Sequence, residues 1–285
     1  MELWRIIRCF LRFVPVALKP TLFRWTAQAS ARCGFRLHHN IYRLPFNLIL
    51  KTTSSPNPNE AHALRIVESV KGVQAPRVVD YAVGVPHSYI LMTGIEGNCC
   101  NDVFDELTTS NKNRIIHELQ TRLARVTTHK RRAICAASEA TISDPRIPWL
   151  REEPWILRCS PEFFEQVWLG LELPWNRDTV LPRIRPLIER EDVPIVFYHG
   201  DILPKNIILP GGLKKWRSDT TVLFLIDCEF AAWAPLPCEA LKATWLVIDP
   251  DEDSWYGMIK RVISESSAEL EADWLWRSKS NIAII

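Results

Sequence analysis

Apolar and polar positions divide the chain into a strand-rich first part and a helix-rich second part. Residues 41–51, IYRLPFNLILK, read as β-structure that Pro45 breaks or confines to an edge. LILK (48–51) is a short, strongly apolar strand ending in a lysine, and the turn-rich TTSSPNPN follows it. A helix is expected to start at Asn59, because asparagine is a favoured N-cap and Glu60 complements the helix dipole in the first turn. Ala63, Leu64, Ile66, Val67 and Val70 recur at helical spacing, and Gly72 is a natural stop. PRVVDYAV and SYILMTGI then predict two strands joined by a turn at Gly84 to Pro86.

After Gly97 the period becomes helical. Ile115, Ile116, Leu119, Leu123 and Val126 mark a helix over 111–127. A Pro- and Trp-rich region runs from Asp144 to Trp175. Within it, SPEFFEQVWLGLEL predicts a helix capped by Ser160 with Pro161 at its first position. A further helix over 178–190 leads into FYHGDILPKNIILP (197–210), and Ser266 with Glu269 has capping-box spacing ahead of LEADWLW. The expected fold is α+β and bilobal. It comprises a helical extension (1–40), a small β-rich first lobe (41–97) and a larger, mostly helical second lobe (98–285).

The extension opens MELWRIIRCFLRFVPVALK, with Arg5, Arg8 and Arg12 among large apolar residues. It predicts a basic amphipathic helix broken near Pro15 and packed on the body of the protein. An interfacial membrane helix over residues 1–14 is the sharper rival. Arginines interrupt any signal-peptide core, and no apolar run reaches the roughly 20 residues that cross a bilayer.

Composition changes this picture little. The 285 residues suffice for a large core, and a net charge of +2 argues against nucleic acid as a partner. The eight cysteines show no C-x-x-C spacing, so neither a zinc site nor a disulfide framework is expected. Reduced thiols and a cytoplasmic location follow as the expectation.

The chemistry lies in the charged insert. A strand-like run ends in His199, Gly200 and Asp201, Asn206 follows at the end of a tight loop, and a later strand ends in Asp227. Polar groups among apolar strands need a reason, and three oxygen-bearing side chains at strand ends suit a hard divalent cation plus a base. Phosphoryl transfer uses this order of parts, together with a lysine on a first-lobe strand and a helical glutamate to hold it. Lys51 and Glu60 stand in those places.

With these residues, HGDILPKN and LIDCEFAAWAPLPCE resemble the aminoglycoside phosphotransferase family, a branch of kinase-like small-molecule phosphotransferases also similar to choline kinases. LPFNLILK, NEAHALRIV, APRVVDY and YILMTGIEG match its first lobe in order, and the tail resembles a fungal subgroup. The resemblance covers residues 41 to 250 and implies a protein-kinase-like fold with ATP or GTP as co-substrate and Mg2+ as cofactor. It places the catalytic aspartate on Asp201, the metal ligands on Asn206 and Asp227, and the nucleotide lysine on Lys51 with Glu60. The hinge that meets the base falls on the backbone of Met92, Thr93 and Gly94. His199 is expected to be structural, Glu239 to anchor the loop, and Glu229 to sit behind the metal site or face outward.

Departures are plain. Cys228 stands where the family commonly has an aromatic, Asn47 where it often has glycine, and no G-x-G-x-x-G precedes Lys51. The absence of D-F-G and A-P-E, and Leu203 two residues after Asp201, disfavour a protein kinase. The leading expectation is a phosphotransferase acting on a hydroxyl of a small molecule. The rival is a kinase-like binding module without turnover. Aromatic and acidic residues between Asp144 and Trp175 suggest an amphipathic or aromatic acceptor if some of them line the pocket. The acceptor itself and the oligomeric state stay open.

Overall fold

The computed structural model describes residues 3–53, 59–129, 131, 133–142, 157–169 and 177–279. The loop at 54–58 and the residues Asp144, Trp149, Glu152, Glu153, Trp155 and Trp175 lie outside the described residues.

The chain begins with helices α1 (Leu3–Leu11) and α2 (Lys19–Arg32) and continues into strands β1 (Arg36–His38), β2 (Ile41–Leu44) and β3 (Leu48–Thr53). Helix α3 (Asn59–Ser69) and strands β4 (Val78–Ala82) and β5 (Ser88–Thr93) complete the first lobe. The strands form one antiparallel sheet in the order β1-β2-β3-β5-β4, so the helical extension also contributes β1. Pro45 sits in the turn between β2 and β3. Phe46 and Asn47 take left-handed backbone there, with φ of 65° and 55°. Asparagine tolerates that region better than most residues, which accounts for Asn47 in place of a glycine.

Strand alternation decides what each face of this sheet does. Leu48, Leu50, Tyr89 and Leu91 pack beneath α1 and α2, against Leu11, Phe23 and Ala27. Ile49, Ile90, Met92 and Val78 face α3 and the second lobe, where Phe197, Cys228 and Trp233 join the same cluster. Lys51 shares the strand parity of Ile49 and therefore points between the lobes. Asn59 opens α3 as expected, yet its side chain serves the second lobe. Its Nδ2 donates to the carbonyls of Glu229 (2.8 Å) and Ala231 (2.9 Å), and its Oδ1 accepts from Ser138 N (3.0 Å).

The second lobe runs β6 (Gly97–Cys99), α4 (Thr109–Val126), β7 (Cys135–Ala136), α5 (Ser160–Leu169), α6 (Arg177–Ile188) and β8 (Ile195–Tyr198). Then come β9 (Ile207–Pro210), α7 (Leu213–Ser218), β10 (Phe224–Leu225), β11 (Ala232–Pro235), α8 (Cys238–Ala243), α9 (Ser254–Val262) and α10 (Ser267–Ser278). Small sheets β10-β9-β6 and β7-β11-β8 carry the loops of interest, and the helices enclose one large core. Thr108 and Asn111 cap α4 reciprocally.

Two expected caps are not formed. The Ser160 hydroxyl donates to Val193 O (2.8 Å), and Ser266 makes no side-chain cap bond while Glu269 receives Arg190 (2.7 Å). Phe163, Phe164 and Trp168 are fully buried core, with Phe164 stacked on Trp168 at 5.1 Å. No helix among the described residues is long and apolar enough to cross a membrane.

Candidate active site

Lys51 is 8% exposed, and its Nζ lies 2.8 Å from Glu60 Oε2, 2.5 Å from Asp227 Oδ1 and 3.9 Å from Glu229 Oε2. Burial alone would lower the pKa of this ammonium. The Glu60 and Asp227 carboxylates outweigh it and hold the group charged, with its pKa raised. Burial raises Glu60, Lys51 pulls it back down, and Asp227 pushes it up again. One cation therefore joins a first-lobe helix to a second-lobe loop, although Lys51 and Glu60 are close in sequence.

Asp227 follows β10 with a left-handed φ of 62°. Its neighbour Ile226 is clamped on both sides, donating to Asn206 O (3.0 Å) and accepting from His199 Nε2 (3.0 Å). Asp201 N donates to His199 Nδ1 (3.2 Å), so the network puts the imidazole proton on Nε2. Burial, with Arg122 nearby, lowers the His199 pKa to about 3. His199 is thus a neutral strut between two loops, in line with a structural role. Glu239 on α8 accepts from the amides of His199 (2.6 Å) and Gly200 (3.0 Å), the anchoring position expected for it. Burial raises its pKa to about 7 against the pull of those two amides. Gly200 is required between them: its φ is 83°, and a Cβ there would lie 2.4 Å from Phe230 O.

Within the loop, Asn206 Nδ2 donates to Asp201 Oδ2 (2.7 Å) and Asp201 O (2.9 Å). Lys205 Nζ stands 3.3 Å from the same carboxylate oxygen. Asp201 with Asn206, and Lys51 with Glu60 and Asp227, are thus two sets locked side by side through Ile226. No group of three His, Cys, Asp or Glu able to hold a metal occurs among the described residues. Of the residues that the resemblance names for a metal, Asp227 offers one carboxylate and Asn206 one amide. The nitrogen of that amide is spent on Asp201, which leaves its oxygen for a cation. Magnesium commonly uses such a sparse set, completed by phosphate and water. Glu229 is exposed and lines a cavity of about 650 Å³ with Arg36, His39, Asn40, Thr52 and Thr53.

Met92 and Thr93 end β5 opposite Ile49 and Leu48. Gly94 is already paired, donating to Asn47 O (2.7 Å) and accepting from Asn47 Nδ2 (3.0 Å). Only His39 and Asn40 separate β1 from β2, and Thr52 N donates to Asn40 O (2.8 Å), which ties this tight hairpin beside Lys51. Cys228 fills the inter-lobe cluster, where burial pushes its thiol up to about 12.

Sequence reasoning passed over Lys205 and Arg122, and it read Asn59 only as a helix cap. Arg122 lies on the apolar face of α4, three residues after Leu119, and is 7% exposed. A charge on an apolar helical stripe was the available signal. Its guanidinium reaches Gln74 O, and burial lowers its pKa to about 10.

Comparison with known proteins bears on the family and the fold. Residues 46–274 match the profile of the phosphotransferase enzyme family, APH. Among solved structures, aminoglycoside phosphotransferase APH(4)-Ia superposes with a TM-score of 0.54 at 11% identity, over 83% of this chain and 78% of that one. A thermostable mutant of the same enzyme, in ternary complex with AMP-PNP and hygromycin B, gives 0.54 at 12% identity, over 85% and 82%. At such identity the likeness is one of fold. Among curated proteins, none matches. The fold, the family profile and the clustered polar residues lead to one conclusion: this chain belongs to the phosphotransferase enzyme family.

Proposed function

We propose that this protein transfers the γ-phosphoryl group of ATP, or of GTP, to a hydroxyl of a small molecule. The observation that carries the reading is the clasp of Lys51 between Glu60 of one lobe and Asp227 of the other, with the Asp201–Asn206 pair locked beside it. Family membership supports it, as does the AMP-PNP held by a structural relative.

In this reading Lys51 binds the α/β-phosphates, and Glu60 keeps it extended after Asp227 releases it. Asp227 and the amide oxygen of Asn206 would hold a magnesium ion, which when bound neutralises charge on the phosphates. Asp201 orients the acceptor hydroxyl. The hydroxyl oxygen forms a bond to the γ-phosphorus, the bond to the bridging oxygen of the nucleoside diphosphate breaks, and the hydroxyl proton passes to Asp201. Asn206 and Lys205 fix the carboxylate that receives it. The base would meet the backbone around Met92, Thr93 and Gly94. Since Asn47 O takes the Gly94 N–H, a donor contact to the base falls to the neighbours of Gly94. Positioning and charge stabilisation supply most of the rate.

The acceptor class stays unassigned, because the described aromatics of the 144–175 region are core. A screen of hydroxyl-bearing metabolites that follows nucleoside diphosphate release will find it. Asp201→Asn should then lower turnover by about 10²–10⁴. An unchanged rate would reject the role given to Asp201.

The two-residue β1–β2 connection favours a second reading, a nucleotide-binding module without turnover, because a phosphate-covering loop is short there. Thermal shift with Mg-ATP, followed by a test for slow ATP hydrolysis, separates the two. Stabilisation with no hydrolysis and no acceptor supports the module.

A further inference from the structure

Helix α1 is apolar on two sides. Trp4, Ile7, Leu11 and Val14 pack against the first-lobe sheet. Leu3, Ile6 and Phe10 repeat at the same i, i+3, i+7 spacing one position earlier, where Phe10 is 69% exposed, and Phe13, just past the helix, is 86% exposed. A surface helix needs one apolar stripe to dock, so the second is unexplained by the fold. It continues round the corner into α2. Val16 and Leu18 are exposed, and Leu18, Leu22 and Trp25 share a helix face turned away from the buried Phe23 and Ala27. The helices are not loose: Lys19 pairs with Asp80 at 2.6 Å and Arg8 with Glu68 at 3.7 Å. The outward face is therefore fixed while its inner side is satisfied.

The charge around this face has one sign. Residues 3–59 contain no acidic residue and nine basic ones, whereas the remainder of the chain carries more acids than bases. Arg12, Arg24, Arg32 and Arg36 are exposed on or beside the two helices.

We propose that the outward face of α1, the corner after it and α2 dock the protein onto an anionic membrane surface. Exposed Phe and Trp would enter the headgroup boundary while the arginines meet lipid phosphates and carboxylates, the physics of an interfacial amphipathic helix. The charge pattern selects this occupant. A second copy would set two positive faces against each other, since a two-fold interface pairs a patch with itself. A typical protein surface interleaves both signs, whereas an anionic leaflet offers one continuous complement.

The test is co-sedimentation of the full chain with phosphatidylcholine vesicles, with and without phosphatidylserine. Binding is expected only with phosphatidylserine, weakening as salt is raised. Each neutralised arginine should cost about fivefold in affinity, so Arg12→Glu with Arg32→Glu lowers it by more than tenfold. Phe13→Ser with Trp25→Ser should abolish binding, and both variants should keep the parent melting temperature, being confined to exposed positions. No vesicle binding by the parent, or binding indifferent to phosphatidylserine and to all four changes, overturns the proposal. So does an oligomer in sedimentation velocity that the Phe13→Ser/Trp25→Ser variant dissolves, because a second copy would then be the occupant.

Discussion

His199 shows how one residue can hold a site without reacting in it. Its imidazole spans from the Asp201 amide to the Ile226 carbonyl and so fixes the two loops that carry the acids. In the unfolded chain it takes up a proton near 6.5, and in the fold only near 3. A depressed cation pKa stabilises the fold fully above 6.5, and that stability is lost as pH falls from 6.5 toward 3. Glu239 acts with the opposite sign. Its pKa rises from 4.5 to about 7 on folding, so its contribution falls as pH rises through that window. His199→Gln should therefore destabilise most at neutral pH. Urea unfolding at pH 6.5 and 5 should show the gap to wild type narrowing by roughly 1.6 kcal/mol. A gap that stays constant with pH would show that His199 is not held neutral.

At the scale of elements, a buried acid and its arginine bind α10 to α5 and to the segment that follows α8. Asp273 accepts from Trp168 Nε1 (3.0 Å) and from Arg277 Nε (2.9 Å). Arg277 goes on to the carbonyls of Val247 (3.1 Å) and Trp245 (3.2 Å). Asp273→Ala strands a buried guanidinium and should cost about 3–5 kcal/mol in urea unfolding, and a cost below about 1 kcal/mol would contradict the buried pairing. None of this network was legible beforehand, whereas much of the site was. LILK read as an apolar strand ending in a lysine, and the structure's strand parity puts Lys51 on the face of Ile49. The acid, amide and second acid interrupted apolar strands, a pattern that asks for a reason and drew attention to the candidate site. What stayed hidden depends on distant partners. Ser160 and Glu269 resembled helix caps by local spacing, yet their partners lie 33 and 79 residues away. Asn59 read as an N-cap, but its amide is taken by residues of the other lobe. Asn47 at Gly94 was equally invisible, because a turn residue carries no sign of the strand end it will meet.

Across the whole molecule, the first-lobe sheet is covered twice, by α1 and α2 outside and by α3 and the second lobe inside. The inner contact is both packing and chemistry: Asn59 joins the backbones and Lys51 joins the charges. Lys51 rests on Asp227, so in the proposed reading the nucleotide phosphates compete with that carboxylate for the ammonium. Binding should therefore depend on both lobes at once. Calorimetric titration of the full chain with Mg2+ and AMP-PNP, beside the Lys51→Met and Asp227→Asn variants, tests this most directly. The account predicts metal-dependent binding by the wild type that each variant weakens by at least about tenfold, or roughly 1.4 kcal/mol. Absence of binding by the wild type, or equal binding by all three proteins, would contradict it.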